Sequence, residues 1–169
     1  MSDTRDVESF TFAMGEFEAT FPRNRRYAKN HMWAIGRPAD LNDDDRPSVW
    51  RFGLSGYAVR LLQDVYFLDW ETEAPAELKA RQMIGSIESK KAESDLYSPM
   101  TGTLTGINED VLSDPSLINA DPYGAGWLFE LLVDQSNSEL LLSPDDYLLH
   151  LAEAWEVAQR TIKGQSNAQ

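Results

Sequence analysis

Apolar and polar positions alternate over short stretches through most of this chain and settle into a helical period only near its end. Residues 27–36 read as a strand. Residues 49–54 set Val, Arg and Gly against Trp, Phe and Leu, the period-two pattern of a second strand closing at Gly53. Residues 65–70, VYFLDW, have the β-branched and aromatic content of a buried strand, and residues 127–133 form the last one. Between them, Ser55 is placed to cap a short helix over residues 56–63, with Tyr57, Leu61 and Leu62 facing inward. Residues 37–47 form an acidic turn-rich loop, residues 75–82 a link with a helical turn, and residues 108–123 a long connection rich in Asn, Asp and Pro. At the C-terminus, Ser143 caps, Pro144 takes the first turn and Asp145 and Asp146 oppose the helix dipole. Tyr147, Leu148, Leu151, Trp155, Ala158 and Ile162 then recur at helical spacing as far as Gly164. Short strands with few helices predict a mostly-β domain.

Residues 1–22 carry Phe10, Phe12, Phe17 and Phe21, too many aromatics for a solvating tail, and are expected to pack on the rest. The chain's 169 residues, 42% of them hydrophobic, suffice for one domain with a real core. The expected division is an N-terminal extension over 1–25, a domain over 26–162 and a disordered tail over 163–169. No apolar run approaches the length of a membrane span. The opening stretch is acidic and has neither a signal-peptide nor a transit-peptide pattern, so a cytoplasmic protein, or an organellar one in mature form, is expected. With 28 acidic against 15 basic residues and a net charge of -13, the average surface repels nucleic acid and favours basic partners. Cysteine is absent, which removes disulfides, thiolate metal sites and thiol nucleophiles together. Any thiol chemistry has to come from a cofactor. His31 and His150 have no nucleophile motif nearby and read as packed or surface residues.

The strongest signal is the stretch 85–102, GSIESKKAESDLYSPMTG. Lys91 sits in a polar run with no large apolar residue within three positions, while Met83, Ile84 and Ile87 lead in and Leu96, Tyr97, Leu104 and Ile107 lead out. This pattern predicts a β-hairpin with Lys91 at its tip. A tip fixes the backbone while the four-carbon stem stays mobile and reachable. Lys90 competes for the same role, but neighbouring residues of a hairpin point to opposite faces.

From Lys91, Pro99 falls at plus eight and Gly102 at plus eleven, a spacing that resembles the lipoyl and biotinyl carriers. Biotin sites of that kind flank the lysine with Met, whereas Lys90 and Ala92 stand here, which favours lipoate. Glu88, Ser89, Lys90, Lys91, Ala92, Glu93, Ser94 and Asp95 are similar to the Glu-Ser-Val-Lys-Ala-x-Ser-Asp signature of the glycine cleavage H-protein family, with Lys90 in place of Val. LINADPYGAGWLF over 117–129 and YAKNHMW over 27–33 resemble further elements of the same family, in order.

The resemblance implies a flattened β-barrel or barrel-sandwich hybrid, a monomeric and non-catalytic carrier, and lipoate joined by an amide to Lys91. Glu88, Ser89 and Asp95 become the residues by which the attachment site is recognised; solvated turn residues are the plainer alternative for Glu88 and Asp95. The implied partners are a lipoate ligase or lipoyltransferase, a pyridoxal-phosphate glycine decarboxylase, an aminomethyltransferase and dihydrolipoyl dehydrogenase, between which an aminomethyl group is carried. The chain departs from the pattern at two places. Met32 stands where the family has a Glu that helps hold the loaded arm, and Gly56 and Tyr57 stand where it has Asp-His. These favour, as an alternative, a related lipoate carrier for another pathway: sulfur oxidation through a heterodisulfide-reductase-like complex, or lipoate relay. An unmodified interaction module is a third reading.

Overall fold

Two sheets face each other across the main core, and a β-hairpin with a long helix closes one end. The computed structural model describes residues 8–36, 48–134 and 140–167, the stretch 161–167 as backbone only. The larger sheet runs in the order β3 (Arg26–Tyr27), β4 (Met32–Gly36), β5 (Ser48–Leu54), β11 (Phe129–Val133), β10 (Gly102–Ile107) and β7 (Ala76–Leu78). The smaller one contains β6 (Val65–Trp70), β8 (Met83–Ser89) and β9 (Glu93–Tyr97). The N-terminal hairpin pairs β1 (Ser9–Met14) with β2 (Phe17–Pro22). Every pairing is antiparallel, so the chain folds as the mostly-β architecture expected of it.

Alternation along β4 divides the interior in two. Met32 and Ala34 point into the space between the sheets, where they join Phe52, Phe129 and Leu131 from one side and Leu68, Ile84, Ile87 and Leu96 from the other. Trp33, from the opposite face of the strand, joins a second cluster with Phe10, Phe21, Tyr27, Tyr57, Tyr147 and Leu151. That cluster is built by aromatic contact: Phe10 stacks on Phe21 at 5.0 Å between ring centroids and Tyr27 on Tyr147 at 4.4 Å. Tyr147 and Leu151 lie on α4 (Pro144–Asn167), so the N-terminal hairpin and the C-terminal helix share one core. Gly85 lies at an irregularity in the pairing of β8 with β9, and a Cβ there would collide with the Asp69 carbonyl oxygen of β6.

Several local expectations give way to tertiary context. The strand expected over 27–36 breaks into β3 and β4 at His31, which turns the chain with φ 68°. The link 75–82 holds β7 rather than a helical turn, because its backbone finds partners on β10 through Gly102↔Leu78 and Thr103↔Glu77. The connection 108–123 folds into α2 (Glu109–Ser113), whose Asn108 cap accepts from the Asp110 N–H, and α3 (Leu117–Ala120). Both are too short to show a period. In α1 (Gly56–Leu62), Tyr57 is buried as expected, but Leu61 is 44% exposed, since two turns of helix bury only one narrow face. Ser55 makes no side-chain capping bond; its hydroxyl is used elsewhere. The helix over the C-terminus passes Gly164 and runs to Asn167, so most of the tail expected to be disordered is helical. One glycine costs a helix only about 1 kcal/mol relative to alanine, too little to stop an established one. The acidic loop 37–47 and residues 1–7 lie outside the described residues.

Candidate functional site

Strands β8 and β9 end in a three-residue turn, and the turn is organised from within by a serine. Ser89 is buried; its Oγ accepts from the Lys91 N–H at 3.3 Å and the Ala92 N–H at 3.1 Å and donates to the Ala92 carbonyl at 3.2 Å, while its own N–H bonds that carbonyl at 2.9 Å. The sequence marks Ser89 as a recognition residue. Its geometry is that of the residue that shapes the tip.

The two lysines at the tip meet different surroundings. Lys90 is tied to Asp64, the residue before β6, by its N–H to the Asp64 carbonyl at 3.1 Å and by its Nζ to Oδ2 at 3.4 Å. Lys91 is exposed and its Nζ has no carboxylate within ion-pair distance among the described residues. Glu88 faces Glu93 across the hairpin and Asp95 faces Ser86, so the three carboxylates share the solvent face, opposite Ile87. Glu88 and Asp95 therefore do flank the tip on opposite strands, with Asp95 two pairs further from it and accepting from the Tyr97 hydroxyl at 3.3 Å.

Against the inner side of β9 lies a cleft of about 400 Å³. One wall is β9 from Ala92 to Tyr97, and the other is made by Met32, Leu54, Ala58, Leu61 and Leu62, with Asn30 and His31 at one end. His31 is held there by Tyr147, whose hydroxyl lies 2.8 Å from His31 Nδ1 and 2.8 Å from Ser55 Oγ. The His31 ring packs 4.5 Å from Tyr57 and 5.1 Å from His150. Burial, reinforced by His150, lowers the His31 pKa to about 4, so the ring is neutral at pH 7. Burial likewise raises the Tyr147 phenol well above its ordinary value and keeps it protonated. The helix start at Gly56 donates its N–H to the Tyr123 hydroxyl at 2.7 Å. Where the resemblance calls for polar groups, this chain thus presents a buried thioether at Met32 and an aromatic ring at Tyr57. The sequence reading marks Ser55 only as a cap and Tyr147 only as a helix position, and leaves Asp64 unmarked; their parts in the site come from contacts with residues distant in the chain.

The sequence pattern of the glycine cleavage H-protein family matches residues 25–154. The chain belongs to that family. It is 37% identical over 126 residues to the glycine cleavage system H protein of Streptomyces coelicolor, covering 75% of this chain and 93% of the relative. A probable glycine cleavage system H protein of Natronomonas pharaonis is 37% identical over 131 residues, 78% of this chain and 96% of its own. Among solved structures, a glycine cleavage system H protein from Mycobacterium marinum superposes with a TM-score of 0.63 at 31% identity, covering 75% of this chain and 95% of that one. Glycine cleavage H proteins are non-catalytic carriers that normally bear lipoate on a lysine. The residues present suit such a group: an exposed primary amine on a fixed turn, and beside it a cleft with mainly apolar walls along β9. No helix is long and apolar enough to cross a membrane, and no cluster of metal-ligating side chains occurs among the described residues. The match begins at residue 25, after β1 and β2.

Proposed function

We propose that Lys91 is the lipoyl attachment residue and that the chain carries an aminomethyl group in a glycine cleavage system. One observation carries the assignment: of two adjacent lysines at the hairpin tip, Lys90 is paired to Asp64, whereas Lys91 has no ion-pair partner among the described residues. Bound lipoate supplies a disulfide and dithiol couple able to accept a one-carbon unit and two electrons. The chain's own residues do the rest. Ser89 fixes the turn, Glu88 and Asp95 offer carboxylates to the attaching ligase or lipoyltransferase, and the cleft along β9 offers a mainly apolar surface to what lies against it. The partners are then the pyridoxal-phosphate glycine decarboxylase, the aminomethyltransferase and dihydrolipoyl dehydrogenase.

A second reading is favoured by Met32. An aminomethyl group carries a cation, and the wall formed by Met32, Leu54, Leu61 and Leu62 gives it no carboxylate; Glu93 and Asp95 line only the hairpin side. A lipoate carrier for another pathway, sulfur oxidation through a heterodisulfide-reductase-like complex or lipoate relay, needs no such pairing. Intact mass with peptide mapping tests the attachment, on protein made with lipoate and a lipoate ligase beside a Lys91→Arg control. A single lipoyl increment on Lys91, absent from the control, is expected. No increment would leave the unmodified interaction module as the reading. Glycine decarboxylation by the pyridoxal-phosphate enzyme with the loaded protein as acceptor then separates the two cargoes, and no turnover removes the aminomethyl role.

A further inference from the structure

Beyond the contact of Asn30 with Tyr97 lies a second cleft, of about 590 Å³. The Asn30 amide donates to the Tyr97 carbonyl at 3.0 Å, and both residues line both clefts, so the two are separated by this shared wall. The second cleft has apolar surfaces from Pro99, Met100, Leu140 and Leu141. Lys29 and Arg81 also line it, and no carboxylate does among the described residues. Neither cation forms an ion pair among the described residues. In a chain with 28 acidic and 15 basic residues, a lining whose described residues hold two cations, no acid and no ion pair is the inverse of the average surface.

Both cations stand on backbone that is held in place. Arg81 adopts φ 73°, a left-handed conformation that a residue with a Cβ seldom takes, and its N–H bonds the Ser98 carbonyl at 2.8 Å. The Lys29 carbonyl accepts from His150 Nε2 at 2.8 Å. A cleft of this size, with an apolar body and a few placed polar groups, has the make-up of a small-molecule site.

We propose that this cleft binds a small amphipathic organic anion, its carboxylate or similar head paired with Lys29 and Arg81 and its apolar body against Met100, Leu140 and Leu141. Lysine and arginine together suit an anionic oxygen group, and the apolar floor excludes a fully hydrated inorganic ion as the best occupant. The cleft begins where β9 ends, so its occupant lies beside the far end of the first cleft and is placed to meet whatever is carried there. That last step rests on the carrier reading, whereas binding does not.

The test uses the full unmodified chain, so it is independent of Lys91. Octanoate and octylammonium are titrated separately while backbone amide resonances are followed. Octanoate is expected to shift the amides of Lys29, Ala80, Arg81, Ser98 and Met100 to saturation. Octylammonium is expected not to saturate them. The double variant Lys29→Gln/Arg81→Gln, both at exposed positions, should keep the melting temperature and weaken octanoate about tenfold or more, the loss of charge-assisted bonds. Equal binding of octylammonium at these amides, unchanged affinity in the double variant, or shifts scattered over the surface would overturn the proposal. Tighter binding there of the capped peptide Glu-Leu-Glu-Leu would also overturn it, in favour of a docking site for an acidic protein segment.

Discussion

His31 concentrates three constraints in one residue: a left-handed backbone, a place in the cleft lining and a ring buried against Tyr57, Tyr147 and His150. Its pKa of about 4 lies below the ordinary histidine value. As pH falls, the unfolded chain therefore takes up the proton first, and stability present above about pH 6.5 is lost progressively toward pH 4. The expected loss between about pH 7.5 and about pH 5 is about 2 kcal/mol. Thermal denaturation at the two pH values measures it, and His31→Gln should reduce the difference; an equal loss in the variant would place its source in other groups. At this scale the sequence was legible where a motif is local. Lys91, Glu88, Ser89 and Asp95 stand within eight positions of one another and could be marked as a set. His31 could be marked only as packed or surface, because what gives it a role is Tyr147, 116 positions away.

Among the elements, the N-terminal hairpin lies outside the stretch matched to the family and still forms part of the core. Phe10, Met14, Ala19 and Phe21 are buried, and Phe21 sits edge-on to both Tyr27 and Tyr147. Phe21→Ala should cost about 3–5 kcal/mol. Removing residues 1–22 should lower the melting temperature at least as far as Phe21→Ala does, and calorimetry that finds it unchanged would make the hairpin an accessory. The four phenylalanines made packing of this segment readable in advance. The partner surface was not, since Tyr27, Trp33 and Tyr147 are scattered over three elements. Strand β7 and helices α2 and α3 were missed for a related reason: three to five residues hold fewer than two periods of their own pattern, too few to repeat it, and such elements are decided by pairing with β10 or by a cap such as Asn108.

Taken whole, the molecule has two hydrophobic clusters but one dividing strand. Because Met32 and Ala34 serve one cluster and Trp33 the other, β4 cannot leave one core and keep the second. Unfolding should then be a single transition, with tryptophan fluorescence and far-ultraviolet circular dichroism giving the same midpoint and a calorimetric enthalpy equal to the van't Hoff value. Two separated midpoints would show that the hairpin and α4 open on their own. The mostly-β class and the C-terminal helix were legible because alternation and helical period are properties of contiguous residues. The division of the interior by β4 was not, because it depends on which sheet faces which side.

The hydroxyl of Tyr147 reaches back to His31 and Ser55, and this sets an order on biosynthesis. The lysine-bearing hairpin is translated well before Tyr147, so during elongation the tip can form while the cleft beside it still has an unfinished end. An enzyme that reads only the hairpin can act on the growing chain; one that reads the completed cleft has to wait until α4 has left the ribosome.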